Sequence, residues 1–290
     1  MSLKPDSTEV LRQTSRTFYL AIVSLPPRIK EAVMSSYLSL RAIDEIEDHA
    51  TFDKLTKIKL LCQISCTLQE RHEAWASQLS NVLRAHRDDL PEVTNRLDEW
   101  AQLAPNTIAP RIGYATSAMA RRMAYWVGND WRIHTKRDLD RYTFSVAGAV
   151  GVLLSDLWNW YDGTPSRKAN AVGYGRGLQA VNILRNRIED LARGVDFFPH
   201  GWTSDQFCSY ARSNLSMGDA YVEGFPRGPA RSFCRGPQIL AYATLDALAR
   251  GASKLTRSEV LELVGTEEDF RGADISGANI DRETQLPPQH

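Results

Sequence analysis

The chain has 290 residues, of which 43% are hydrophobic, so it can bury a sizeable core as one large domain or two smaller ones. Its 35 basic and 35 acidic residues give a formal net charge of zero, and the basic residues are not gathered in one stretch. We therefore expect no nucleic acid among its partners.

Membrane-spanning and secretory segments are not expected either. No stretch approaches the roughly 20 uncharged apolar residues that cross a bilayer, and the first nine residues lack an apolar signal region. The four cysteines fit no zinc pattern, and Cys62 and Cys66 lie in an apolar helical run that favours core packing. We expect a cytoplasmic protein that contacts a membrane surface only transiently.

Apolar residues recur at three- and four-residue steps along the chain, and strand-like alternation is scarce. This pattern predicts an all-α fold. The predicted helices cover residues 10–20, 29–47, 54–78, 116–127, 138–160, 171–192, 204–223, 231–250 and 257–264. The breaks between them are rich in proline and glycine but too short for flexible linkers. Residues 1–265 are therefore predicted to form one domain, and the polar residues 266–290 a loosely ordered tail.

Two polar clusters interrupt these apolar helices. In the first, Asp44 and Asp48 are four residues apart; in the second, Asn182, Asn186 and Asp190 repeat at the same step. Each set lies on one helical face. Because Mg²⁺ binds one or two protein carboxylates and completes its octahedron with phosphate oxygens and water, two such faces predict a Mg²⁺-dependent diphosphate site.

Each cluster also has a structural alternative. The first could be a solvated face or an ion-pair site, and Glu45 and Glu47 within it are expected to be solvated. The second could be a capping or helix-to-helix hydrogen-bond network. Neighbouring arginines could pair with the same carboxylates.

Several motifs follow one another in the order found in the squalene/phytoene synthase family. They are SRTFY (15–19), YLSLRAIDEIED (37–48), VAGAVG (146–151), GLQAVNILR (177–185) and FFP (197–199). A later segment, PQILAYATL (237–245), is similar to one found in squalene synthases more than in phytoene synthases. The chain thus resembles this family from about residue 15 to 264, and squalene synthases in particular.

The resemblance implies an all-helical isoprenoid synthase bundle with a central cavity, in which Mg²⁺ and arginines neutralise a prenyl diphosphate. The implied metal ligands are Asp44, Asp48, Asn182, Asn186 and Asp190. The implied substrate-binding residues are Arg16, Thr17, Phe18, Tyr37, Arg41, Gln179 and Arg185. The implied catalytic residues are Tyr142, Phe144 and Ser145. Lys254 and Arg257 resemble the basic stretch that squalene synthases use near NADPH.

Two positions depart from the family pattern. Asn186 stands where members usually carry aspartate, and its amide oxygen brings no charge to a metal. Ser145 stands where squalene synthases carry a tyrosine implicated in the first half-reaction.

Three hypotheses therefore stay open. The first is head-to-head condensation of two farnesyl diphosphates to presqualene diphosphate and squalene, with NADPH as reductant. The second is ionisation of one prenyl diphosphate, followed by cyclisation or transfer to a non-isoprenoid acceptor. The third is a non-catalytic binding role.

Overall fold

The computed structural model of the chain describes residues 5–15, 18–70, 74–252, 255–256, 259–260 and 262–263. All regular structure in this part is helical, which confirms the predicted all-α class. The helices are α1 (Pro5–Thr14), α2 (Phe18–Val23), α3 (Pro27–Glu47), α4 (Lys54–Glu70), α5 (Trp75–Arg84), α6 (Glu92–Asn95), α7 (Leu97–Leu103), α8 (Ala109–Gly128), α9 (Lys136–Thr143), α10 (Ala149–Asp162), α11 (Lys168–Ala192), α12 (Ser204–Glu223) and α13 (Pro229–Ala249). A π-helical segment, Phe144–Gly148, joins α9 to α10.

The structure differs from the predicted elements in several places. Residues of the predicted helix 10–20 belong to α1 and α2, and the predicted helix 138–160 is divided among α9, the π-helical segment and α10. The predicted helix 54–78 consists of two helices, α4 and α5. Periodicity does not predict α6 and α7, because four and seven residues are too few to show a repeat of 3.6. The predicted helix 257–264 lies partly outside the described residues, and the predicted tail 266–290 lies wholly outside them, so the domain boundary stays a prediction.

Helix α3 runs through the core and delivers the first acidic cluster. Pro27 occupies its first turn, where a missing N–H is harmless. Small hydroxyl residues fix its position: Ser35 Oγ donates to the main-chain oxygen of Trp100 at 2.7 Å, and Thr94 Oγ1 donates to that of Ala42 at 3.0 Å. The C-terminal turn of α3 is thereby held at a defined place in the bundle.

Helix α11 carries the second cluster and lies very close to the π-helical segment and α10. A Cβ atom at Gly175 would be 2.2 Å from the carbonyl oxygen of Ala147, and one at Gly151 would be 2.0 Å from that of Ala171. No side chain fits there. These glycines set the distance between α11 and the segment that follows Tyr142.

Two apolar clusters form the core of the described residues. The larger one surrounds α3, and the smaller one contains Trp126, Tyr142 and several aromatic side chains from the region that precedes and begins α12. Val146 and Leu178 pack against both clusters. No described helix is both long enough and apolar enough to cross a bilayer.

The close approach at Gly175 gives the first prediction. Gly175→Ala should destabilise the protein by about 1–3 kcal/mol, because the added methyl group overlaps a main-chain oxygen. That corresponds to a lower melting temperature by roughly 2–4 °C per kcal/mol. Gly128→Ala is the matched control, since its new Cβ would meet only Ile58 Cδ1 at 3.7 Å. Equal melting temperatures for the two variants would contradict the prediction.

Candidate active site

The last turn of α3 concentrates carboxylates. Asp44, Glu45 and Glu47 lie in this turn, and Asp48 is the C-cap residue. The C-terminus of a helix already carries a partial negative charge, so ionised carboxylates there are repelled by the helix and by one another. A group of this kind requires cations nearby.

Two cationic side chains meet this need in part. Arg41 Nη1 donates to Asp44 Oδ2 at 2.5 Å, and its Nη2 donates to Glu45. Lys57 Nζ donates to the main-chain oxygen of Glu47 at 2.7 Å. Arg41, predicted as a diphosphate clamp, therefore lies beside the predicted metal ligand Asp44.

Burial and neighbouring negative charge raise the pKa values of two carboxylates in this turn. Burial, with the nearby charge of Asp48, raises the pKa of Asp44 to about 7, although Arg41 opposes the shift. Burial and Asp48 likewise raise the pKa of Glu47 to about 8, even though Trp131 Nε1 donates to its carboxylate at 2.7 Å. The expectation that Glu47 is solvated is wrong, because its side chain is buried. Both carboxylates would ionise more readily beside an added cation.

Asp190 brings the second cluster to the first. It is buried near the C-terminal end of α11, and burial raises its pKa. Arg193 Nη2 donates to Asp190 Oδ1 at 2.5 Å, while Arg193 Nη1 lies 3.7 Å from Asp48 Oδ1. The guanidinium of Arg193 therefore bridges the two helix ends. Sequence reasoning missed this residue, because it lies three positions beyond the repeat that marks the motif.

Tyr142, at the end of α9, lies beside both acidic groups. Its buried ring stacks on Phe197 with centroids 4.6 Å apart and meets Trp126 edge-on at 5.5 Å. Burial is the main cause that raises the pKa of its phenol well above the usual value. The other causes are the negative charges of Glu47, Asp48, Asp44 and Asp190. The phenol of Tyr142 therefore remains protonated at neutral pH.

The other polar residues of α11 are more accessible. Asn182 is exposed, Gln179 and Asn186 are half-buried, and Arg185 Nε donates to Asn186 Oδ1 at 3.2 Å. Within the described ranges, no three histidine, cysteine or acidic side chains are grouped closely enough to hold a metal ion by themselves. Mg²⁺ needs only one or two protein carboxylates when a diphosphate supplies further oxygens, so the donor set on α3 and α11 fits this ion.

An aromatic group lies next to the N-terminal half of α3. The rings of Phe18 and Tyr37 are 6.3 Å apart, Phe18 is 5.9 Å from Phe233, and Tyr37 Oη donates to the main-chain oxygen of Thr14 at 2.9 Å. Phe18 and Tyr37 pack against the larger apolar cluster, and the substrate-binding role implied for them stays a prediction. The predicted residues Arg16, Thr17, Lys254 and Arg257 lie outside the described part of the chain.

Phe144 and Ser145 are placed differently from Tyr142. Ser145 Oγ donates to the main-chain oxygen of Arg141 at 2.7 Å and accepts from Trp126 Nε1 at 3.2 Å. Both residues line a separate cavity of about 460 Å³ whose described walls contain no acidic residue. The structure thus does not group them with the carboxylates, and their predicted catalytic role stays a prediction.

Comparison with known proteins decides the family. The sequence model of squalene/phytoene synthase matches residues 11–209, more than half of the chain. The chain belongs to the squalene/phytoene synthase family. The resemblance inferred from the motifs is thereby confirmed.

Relatives of this squalene/phytoene synthase family member include squalene synthases of fungi. The squalene synthase of Eremothecium gossypii is 29% identical over 89% of this chain and 65% of its own length. Squalene synthase ERG9 of Candida albicans is 34% identical over 82% of this chain and 60% of its own length. The chain thus spans less than two thirds of these proteins.

Solved structures support the all-helical isoprenoid synthase fold of this family member. A complex of TcSQS with the ligand E5700 superposes with a TM-score of 0.68 at 20% identity, covering 89% of this chain and 84% of that one. A dehydrosqualene synthase in complex with a ligand gives a TM-score of 0.56 at 17% identity, covering 89% and 93%.

The raised pKa of Glu47 predicts a pH-dependent stability. The folded protein retains a proton at Glu47 that the unfolded chain releases near pH 4.5, so this contribution is full below that pH and is lost as pH rises towards 8. In EDTA, the stability of Glu47→Gln relative to the wild type should therefore rise by about 1 kcal/mol or more from pH 5 to pH 8. Thermal unfolding at both pH values measures this gain. A pH-independent difference would contradict it.

Arg193 gives a second stability prediction. Arg193→Gln leaves Asp190 without its charged partner, so the variant should lose about 1–2 kcal/mol in metal-free buffer at pH 8. Part of the loss should disappear as the pH is lowered, because burial raises the pKa of Asp190 and its protonation removes the unpaired charge. Arg212→Gln is the control, because Arg212 pairs with Asp246 in an exposed pair at 2.6 Å. Equal losses for both variants in chemical denaturation would argue against the bridge.

Proposed function

We propose that the protein is a Mg²⁺-dependent prenyl transferase that condenses two farnesyl diphosphates head to head to presqualene diphosphate and then squalene. The observation that carries the proposal is the convergence of the C-terminal ends of α3 and α11, whose carboxylates surround Tyr142, in a member of the squalene/phytoene synthase family. The relatives named squalene synthase support the choice of reaction.

The metal would be held by residues of both helices. Asp44 and Asp48 on α3, with Asn182, Asn186 and Asp190 on α11, would supply the oxygen donors. When bound, Mg²⁺ would neutralise the charge that develops on the departing diphosphate. Asn186 contributes an oxygen without charge, so the α11 side should bind metal more weakly than a site with aspartate there.

Arginines of the chain take the second part of diphosphate binding. Arg41 is held next to Asp44, and Arg185 lies beside Asn186 on α11. A guanidinium fork matches two phosphate oxygens at once, so both are suited to contact a diphosphate bound between the helices.

The aromatic residues around the site would protect a carbocation. Tyr142, Phe197 and Trp126 form one packed group beside the carboxylates. Their rings exclude water and present electron-rich faces that stabilise positive charge. Because its pKa is raised, the phenol of Tyr142 can donate a hydrogen bond to a diphosphate oxygen without adding negative charge.

NADPH and a membrane surface complete the proposal. NADPH would reduce the intermediate to squalene, and Lys254 and Arg257 are the proposed contacts. A cytoplasmic enzyme that touches a membrane transiently would suit an apolar product. Ile188 and Leu191 support such contact, because they are 84% and 47% exposed on the turn of α11 that carries Asp190.

Product analysis tests the reaction. Purified protein with Mg²⁺ and farnesyl diphosphate should yield squalene with NADPH and presqualene diphosphate without it, as detected by gas chromatography and mass spectrometry after dephosphorylation. A cyclic product from one diphosphate, or a prenylated acceptor, would replace the proposal with the single-substrate alternative. Unconsumed substrate without Mg²⁺-dependent binding would favour a non-catalytic role.

Substitutions on α3 and α11 test the assigned residues. Asp44→Ala should lower turnover by at least about 100-fold, since it removes charge stabilisation from the reacting diphosphate. Asp246→Ala, which removes an exposed carboxylate on α13, should leave turnover unchanged. Asn186→Asp should preserve or raise Mg²⁺-dependent diphosphate binding in calorimetry. An active Asp44→Ala enzyme would refute the metal assignment.

A further inference from the structure

A cavity lies between α4, α8 and the junction of α9 with the π-helical segment. Its volume is about 460 Å³, within the range of pockets that bind small molecules. Three arginines line it, Arg121, Arg122 and Arg141, together with the aromatic residues Tyr114, Tyr125 and Phe144. We call it the arginine pocket. The function proposed above assigns it no role.

The arginine pocket has an unbalanced positive charge. In the described part of the chain, none of its three guanidinium groups has a carboxylate within ion-pair distance, whereas other arginines such as Arg96 and Arg111 do. Burial also lowers the pKa of half-buried Arg122. Cations gathered in a concave site without anionic partners are complementary to an anionic ligand, because a guanidinium fork matches phosphate oxygens.

Aromatic rings hold these arginines in place and leave a surface for a planar group. The guanidinium of Arg122 lies 5.1 Å from the ring centre of Phe144, and that of Arg141 lies 5.6 Å from that of Tyr125. Tyr114 and Tyr125 are 59% and 47% exposed, so their rings remain accessible. Aromatic side chains at that position can stack on a flat heterocycle.

The inner wall of the pocket separates it from the carboxylate site. Trp126 and Ser145 line the pocket and are joined by a hydrogen bond of 3.2 Å. Trp126 also contacts Tyr142, which lies beside the acidic residues. A ligand in the arginine pocket would thus be next to the reaction site but would not share its metal ligands.

We propose that the arginine pocket binds a nucleoside phosphate, with its phosphate groups on Arg122 and Arg141 and its base against Tyr125. A free nucleotide and the adenosine phosphate half of NADPH share this chemistry. The positive charge selects the phosphate, and the accessible rings select the base. Binding requires no metal, because the pocket itself supplies the cations.

Calorimetry on the full chain in EDTA tests this proposal. Occupation of the proposed diphosphate site depends on Mg²⁺. Binding measured without Mg²⁺ is therefore binding to the arginine pocket. ADP should bind saturably with a dissociation constant below about 1 mM, and inorganic diphosphate and adenosine should each bind at least about tenfold more weakly. NADPH binding more tightly than ADP would identify the reductant as the ligand, and ADP binding at least as tightly as NADPH would identify a free nucleotide.

Variants locate the bound ligand. Arg122→Gln and Arg141→Gln should each weaken ADP binding at least about tenfold, the effect of losing one charge-assisted phosphate contact. Tyr125→Ala should weaken ADP but not diphosphate. Arg212→Gln is the control for a lost surface arginine, and Asp44→Ala should bind ADP normally. Circular dichroism and melting temperatures confirm that each variant is folded.

Several results would overturn the proposal. They are no ADP binding at about 10 mM, equal affinity for ADP and diphosphate, unchanged binding in both arginine variants, and loss of binding in Asp44→Ala. Binding only to vesicles that contain phosphatidylserine would instead identify a membrane surface. A failure of squalene formation would not affect these measurements, because they involve neither Mg²⁺ nor farnesyl diphosphate.

Discussion

The central constraint of this structure is electrostatic: two long helices end at the same place, and both ends carry carboxylates. The partial negative charges of the two C-termini add to those of Asp44, Glu47, Asp48 and Asp190. Arg41, Lys57 and Arg193 lie close to these carboxylates, yet burial together with the charge of Asp48 raises the pKa values of Asp44 and Glu47. Added cations would therefore stabilise the fold at this end of its core.

The apolar framework explains how the chain tolerates this arrangement. Gly175 and Gly151 bring α11 against its neighbours at main-chain contact distance, and hydroxyl contacts fix α3. Rigid helices on both sides keep the acidic residues close although they repel one another. The unfavourable free energy of charge repulsion at the site is thus offset by packing elsewhere in the fold. This is common where a protein binds charged ligands.

The sequence predicts much of this, and the gaps have physical reasons. The four-residue steps of Asp44 to Asp48 and Asn182 to Asp190 predict two polar faces, because helical geometry is local. The contact of Arg193 with Asp48 is not predictable from spacing, because it depends on how the ends of two helices that are far apart in sequence pack. Burial of Glu47 depends on Trp131 in the same way. The arginine pocket likewise arises from three separate elements.

The π-helical segment Phe144–Gly148 affects how this chain is compared with its relatives. One extra residue in a helical turn changes the angular position of the residues that follow it by about 100° relative to an uninterrupted α-helix. An alignment without gaps pairs residues by their order in the sequence. Two residues occupy equivalent positions in space only if their rotation about the helix axis also agrees. Against a relative with an uninterrupted helix, correspondence in sequence beyond Gly148 would not mean correspondence in space.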